Sequence, residues 1–308
     1  MLLPVLSAIV VNHRSHPLVN DCLRSLLAGS QVPDEIIVVD NEAASGGLEA
    51  DLASDPRVRL VLRSANPGYA ASCNDGAAEA RGDLLLFLNA DVTLAPECLE
   101  RCLSALASDP AIGIVTPRLD RPDGSLDHAC HRGLPTPSAS LAYKVGLHRL
   151  VPRSRRLARY TMSWLDPSTD HDIEACSGAF MLIRRDTLAA AGGWDERYRF
   201  YAEDLDLCLR VVSKGGRIRY LGTARATHLK GAFSHNETPD QSLDLAERAV
   251  KRWAQREIVA SHRLFFREHL RAGAAPPMRL VIELLFTLQA MRLDAADRLA
   301  RLRPVSTT

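Results

Sequence analysis

The first chemistry the sequence offers is a pair of oxygen-bearing side chains at the end of an apolar run. Asn89 and Asp91 follow Leu84-Leu85-Leu86-Phe87-Leu88, and side chains two apart on an extended chain point to the same side. Oxygens so placed suit a hard cation such as Mg²⁺, which prefers one or two carboxylates plus substrate phosphates to a full protein cage. The same residues also suit a turn that opens a helix near Pro96-Glu97. Upstream, Asp40-Asn41 closes a second apolar run, and Arg63-Ser64-Ala65-Asn66-Pro67-Gly68-Tyr69 follows a third. An Asp at a strand end can accept from the ring N–H of a pyrimidine base, and Gly68 admits a positive φ; both residues also serve plain turns. Downstream, Trp194-Asp195-Glu196-Arg197-Tyr198 leads into Glu203-Asp204-Leu205-Asp206. Acids and aromatics mixed just before an amphipathic helix are more than a solvated surface requires, although acids at a helix start also complement its dipole. His228 follows a short apolar run, as a ligand or as a structural histidine.

Positioning these residues requires strands that end together. Residues 6–11, 35–40, 58–62 and 84–89 read as strands; a helix with Leu18, Cys22, Leu23, Leu26 and Leu27 on one face follows Ser15, and helices 69–81 and 96–108 come later. Unbroken apolar runs of this length are those of a parallel sheet buried on both faces, and in such sheets ligands bind beyond the carboxyl ends of the strands. The alternation predicts a doubly wound, mostly parallel sheet over roughly the first 115 residues. From 112 to about 172 the pattern loosens, with several prolines and a basic stretch from Arg149 to Arg159 that reads equally as a solvated face or as a phosphate or membrane contact. Order returns with a strand at 175–183, a helix from Asp186 and a strand at 218–221. The C-terminal third reads as a long helix at 242–269, a linker at 272–277 and an amphipathic helix at 278–303, suited to packing, to dimerisation or to an anionic membrane surface.

Composition bounds the partners. The chain has 308 residues, 46% of them hydrophobic, and a net charge of +1, so no global charge favours nucleic acid and phosphate recognition must be local. Seven cysteines without a Cys-x-x-Cys fit a reducing cytoplasm rather than a disulfide framework or a zinc site. The start Met-Leu-Leu-Pro has no basic region of a signal peptide, and no run approaches a membrane span. A dinucleotide fingerprint or a phosphate-binding Gly-Lys-Ser/Thr loop after the first strand is absent.

Taken in order, Val10-Val11-Asn12, Val39-Asp40-Asn41, Asn66-Pro67-Gly68-Tyr69, Phe87-Leu88-Asn89-Ala90-Asp91, the Trp194 and Glu203 motifs and His228 resemble those of the family 2 glycosyltransferases of the GT-A fold, over residues 6 to about 234. The resemblance implies an α/β mixed sheet with a nucleotide-sugar half at 1–115, an acceptor half at 116–235 and a helical extension at 236–308. It implies that Asp40 holds the base, with Asn12, Arg63, Asn66, Gly68 and Asn89 completing the donor side, and that Asp91 and His228 bind Mg²⁺ or Mn²⁺ on the diphosphate. It further implies that Asp204 activates an acceptor hydroxyl in an inverting transfer, with Trp194 and Glu203 on the acceptor side. Asn89 stands where the family often has a second acid, so it brings an oxygen without charge. Within the family the likeness is to bacterial rhamnosyltransferases of cell-wall and surface-polysaccharide assembly, through the Asn-x-Asp form, Arg132-Gly133-Leu134-Pro135-Thr136-Pro137 and the basic tail. That implies dTDP-L-rhamnose, a lipid-linked saccharide or polysaccharide acceptor, and a cytoplasmic enzyme resting on the inner face of the cell membrane through 278–303, or a homodimer. A nucleotidyltransferase would carry a Gly-rich loop where Asn12-His13-Arg14-Ser15 stands, and a non-catalytic sugar-nucleotide binder would need no acid at 204.

Overall fold

The computed structural model describes residues 4–13, 15–41, 47–229, 243 and 245–302. The expected boundary at 235/236, the helix start at 242 and the end at 303 lie outside the described residues. The first half builds the donor side of the sheet: β1 (Leu6–His13), α1 (His16–Leu27), β2 (Glu35–Asn41), α2 (Ala50–Ala53), β3 (Val58–Arg63), α3 (Tyr69–Glu79) and β4 (Leu84–Asn89). β1 lies between β2 and β4, and β3 lies outside β2, all parallel. The continuous apolar runs of β1, β2 and β4 are buried on both faces, as a central parallel strand requires.

The sheet then continues through β5 (Val92–Leu94), β6 (Ile112–Asp120), β7 (His171–Ile173), β8 (Phe180–Arg184) and β9 (Arg217–His228), with α4 (Cys98–Ser108), α5 (Pro137–Lys144), α6 (Leu147–Leu150), α7 (Arg185–Ala191) and α8 (Glu203–Ser213). Its order is β3-β2-β1-β4-β8-β6-β9-β5, with β7 also on β9. β8 runs antiparallel to β4 and β6, so the sheet is mixed and extends well past residue 115. β6 escaped the sequence reading because Pro117 breaks its pattern; the register of β6 on β9 shifts between Pro117 and Arg118, where a residue without an N–H is tolerated. The strand expected at 175–183 begins only at Phe180, and the helix expected from Pro96 begins at Cys98. All seven cysteines are buried free thiols.

α9 (Leu245–Phe265) buries Ala254, Val259 and Phe265, and ends in a wide turn at Phe266–Leu270 before α10 (Pro276–Leu302). Pro276 and Pro277 open α10 rather than forming a linker, as prolines in a first helical turn can. Arg263 and Arg267 both bind Glu283, joining α9 to α10. The apolar stripe of α10 is not covered: Met278, Leu280, Val281, Leu284, Leu285, Leu288 and Met291 stay exposed.

Candidate active site

Parallel register brings the strand ends together. Asn12 on β1 is aligned with Asp40 on β2, and Val11 with Asn89 on β4. Asn12 Nδ2 donates to Asp40 Oδ1 at 2.9 Å, and both side chains are buried. Asn12 Oδ1 has no partner. The next residue, Asn41, reaches forward instead: its Nδ2 donates to Ser72 Oγ at 2.9 Å and lies 3.4 Å from Asn66 Oδ1. Asn66 Oδ1 also accepts the Gly68 backbone N–H at 3.0 Å, setting the turn into α3. Gly68 has φ +109°, and a Cβ there would lie 2.6 Å from the Arg199 carbonyl oxygen, so the site needs glycine on two grounds.

Antiparallel pairing supplies the second group. β5 and β9 align Val92 with His228, which sets Asp91 beside the histidine, Oδ1 to Nε2 at 3.3 Å. On the far side of the ring, Nδ1 lies 2.9 Å from Asp127 Oδ2. Asp127 is fully buried, and its other oxygen accepts the Ala129 N–H of the short turn His128–Cys130. Burial alone would lower the His228 pKa; hydrogen bonds donated by the ring to the Asp127 and Asp91 carboxylates outweigh it and raise it to about 9. Asp127 fixes the ring so that Nε2 faces the cavity, the arrangement by which carboxylates orient metal-binding histidines. Among the described residues no three His, Cys, Asp or Glu side chains form a metal cage. Asp91 and His228, once the imidazole gives up its Nε2 proton, are two candidate ligands for an ion that would bring the rest of its ligands as diphosphate and water.

The acids at the start of α8 form the third group. Tyr201 and Ala202 precede them with φ +66° and +69°, left-handed values that cost a non-glycine residue about 1–2 kcal/mol each. Strain of this kind persists where surrounding structure holds it, and here it aims Glu203 and Asp204 at the cavity. Asp204 Oδ2 accepts from Arg132 Nη2 at 2.6 Å and from the Gly178 N–H at 3.2 Å, while Oδ1 accepts the Leu205 N–H at 2.7 Å. Glu203 is equally buried, yet its Oε2 has no hydrogen-bond partner. Burial, and then repulsion from Asp204, raise its pKa to about 8. Two neighbouring acids are thus set apart, one paired with a cation and one holding its proton at neutral pH.

The protonated Glu203 has a thermodynamic signature. A carboxyl raised above its unfolded value stabilises the fold fully in acid and loses that contribution as pH rises through about 8. Asp204, Asp206 and Arg132 face it, together with Tyr69 and Cys73 of α3. Melting temperatures should therefore fall by several degrees more in the parent than in Glu203→Gln between about pH 5 and about pH 9. Parallel pH profiles for the two proteins would show that Glu203 is ionised in the fold.

One cavity is lined by Asn66, Gly68, Asn89, Asp91, Glu203, Asp204 and His228 of the residues expected from sequence. Asn12 and Asp40, expected on the donor side, are buried against each other and do not line the cavity; their neighbour Asn41 does. Arg63 does not reach the cavity; it pairs with Asp75 of α3. Nor does Trp194, whose ring is buried in edge contact with Phe87 and Tyr69. Sequence reasoning missed Asp127, Arg132 as a site residue, and Trp253 of α9, which lines the cavity and packs on Phe200. The extension is therefore part of the site and not an appendage. His269 on Asp206 and Glu268 on Arg197 tie it to the acidic turn.

The model of "Glycosyl transferase family 2" matches residues 7–190, and that of "Glycosyl transferase family group 2" residues 154–296. The chain is similar to the N-acetylglucosaminyl-diphospho-decaprenol L-rhamnosyltransferase of Mycobacterium tuberculosis, 28% identical over 90% of this chain and 98% of that protein. Its fold is similar to the mannosyltransferase PcManGT of Pyrobaculum calidifontis, solved with GDP-Man and Mn²⁺ (TM-score 0.55, 19% identity, 98% of this chain and 76% of that one). It is also similar to GalNAc-T7, solved with UDP, GalNAc and Mn²⁺ (TM-score 0.56, 15% identity, 73% and 43%). Both are GT-A glycosyltransferases, and the likeness extends to the mixed sheet.

Proposed function

The chain belongs to glycosyl transferase family 2, and on that premise we propose that it moves L-rhamnose from dTDP-L-rhamnose to a hydroxyl of a lipid-linked saccharide, with inversion at the anomeric carbon. The observation that carries this reading is the convergence of Asp91, His228 and Asp204 on one cavity from three separate parts of the chain. The similarity to a protein named as a rhamnosyltransferase over nearly its whole length supports the sugar and the lipid-linked acceptor.

In this mechanism the Asn41–Asn66–Gly68 turn forms the base and ribose end of the donor site, while the buried Asn12–Asp40 pair holds the strand ends beside it. Asp91 and His228 Nε2 would hold a divalent ion, Mg²⁺ or Mn²⁺, with Asp127 keeping the imidazole in place. When bound, the ion neutralises charge that develops on the leaving diphosphate. The acceptor oxygen attacks the anomeric carbon from the face opposite the diphosphate; the new C–O bond forms as the bond to the diphosphate oxygen breaks. Asp204 takes the hydroxyl proton, and dTDP departs with the bonding pair. Asp204 Oδ2 is filled by Arg132 and Gly178, but Oδ1 accepts only the Leu205 N–H of the bonds described and retains a lone pair for the hydroxyl proton. Protonated Glu203 is placed to donate to a sugar oxygen.

Calorimetry with dTDP, with and without Mg²⁺ or Mn²⁺, tests the donor side. Affinity should depend on the ion and fall by at least tenfold in Asp91→Ala, about 1.4 kcal/mol; binding unchanged by EDTA and by the substitution would sink the assignment. A panel of dTDP, UDP and GDP sugars, scored for nucleoside diphosphate release, identifies the donor. Release from a UDP or GDP sugar alone would move the chain to another sugar within the same family.

A further inference from the structure

The stretch from 137 to 160 leaves the cavity wall and returns to it. Its roots are fixed: Arg132 bridges Ala175, Gly133 N–H donates to the Tyr160 carbonyl at 3.1 Å, and Arg159 pairs with Glu174 at 2.7 Å. Between the roots it projects apolar side chains into solvent: Val145 is 66% exposed and Leu150 79%, with Tyr143 and Val151 beside them. Arg149, Arg153, Arg155 and Arg156 are exposed on the same stretch, and none has an ion-pair partner among the described residues. No acid occurs from 145 to 165.

We propose that this stretch is a docking surface for an anionic lipid bilayer. Exposed aliphatic side chains gain by entering the acyl boundary, and arginines interleaved with them gain from anionic headgroups, each side chain covering apolar surface with its stem. Charge selects this occupant over a second copy, which would bring the same unpaired arginines against these. The apolar tips select it over nucleic acid, since a largely exposed leucine and valine contribute nothing to phosphate binding. The roots set the consequence for the site: the wall that carries them also carries Arg132, and so Asp204, which puts the acceptor side of the cavity next to the bilayer. That consequence rests on the transferase reading; the adhesion does not. The surface is separate in sequence from the exposed stripe of α10.

The test is flotation of the full-length chain with vesicles of phosphatidylglycerol and phosphatidylcholine, compared with phosphatidylcholine alone. The parent should float with the anionic vesicles only, and less as salt rises. Replacing Arg149, Arg153, Arg155 and Arg156 by Gln one after another should weaken partition about fivefold per arginine. Leu150→Asp should weaken it further, while a control with Leu284→Gln and Leu288→Gln in α10 keeps the arginine dependence. These positions are exposed, so melting temperatures should match the parent. A parent that stays at the bottom of the gradient, or that floats equally with neutral vesicles, overturns the proposal; so does a quadruple variant that floats like the parent. Hydrolysis of dTDP-rhamnose without lipid reads the transferase reading separately and should be unaffected by these substitutions.

Discussion

Asn in place of Asp204 is expected to lower kcat by about 10²–10⁴-fold while leaving donor affinity nearly unchanged. A sugar hydroxyl is a poor nucleophile at neutral pH, so the transition state depends on a group that takes its proton. Among the acids of this turn only Asp204 is both directed at the cavity and paired with a cation. Asn preserves an oxygen for the Gly178 and Arg132 donors, so the loss should be in the chemical step rather than in the donor site. Glu203→Gln should be milder, because that carboxyl already carries its proton at neutral pH. Steady-state kinetics on both variants decide the matter. A larger loss in Glu203→Gln than in Asp204→Asn would transfer the base role to Glu203, and product with the donor's anomeric configuration would exclude inversion altogether.

The second large effect concerns stability. Arg132 and Asp204 keep only 10% and 11% of their side-chain surface, so Arg132→Met leaves a buried carboxylate without its cation. Removing one partner of such a pair costs about 3–5 kcal/mol, whereas replacing both by apolar residues of similar size is often neutral or better. Arg132→Met should therefore unfold well below the parent, and Arg132→Met combined with Asp204→Leu should recover most of the loss while remaining inactive. Denaturant titration of the parent, Arg132→Met, Asp204→Leu and the double variant measures the cycle. If the single variant is as stable as the parent, the pair is not the counter-charge that holds the acidic turn.

The fold was most legible where burial is two-sided. The runs in β1, β2 and β4 could be read directly, because a strand covered on both faces must be apolar throughout. β5 and β7 have three residues each and left no periodicity to find, and β6 was hidden by Pro117. Site residues followed the same division. Asn66, Gly68, Asn89 and Asp91 follow strands that the sequence announces, and each lines the cavity. Asp127 could not be read: an Asp before His128-Ala129-Cys130 looks like turn chemistry until β9 carries His228 alongside it. Arg63 and Trp194 fit the motif by position, yet their side chains are turned to Asp75 and into the core. Trp253 depends on how α9 folds back over Phe200, which no local pattern encodes.

The burial of every cysteine makes the molecule its own clock for internal opening. Only a thiolate reacts with an alkylating reagent, and burial pushes the thiols of Cys22, Cys73, Cys102 and Cys130 up, Cys130 to about 12. Modification must therefore wait for the layer around each sulfur to part, so its rate reports the free energy of that local opening. Cys176 and Cys208 lie 3.8 Å apart beneath the acidic turn, while Cys98 and Cys102 sit in α4. The order in which the two pairs are labelled separates breathing of the acceptor wall from loosening of the distant helical layer, with no foreign reporter in the chain.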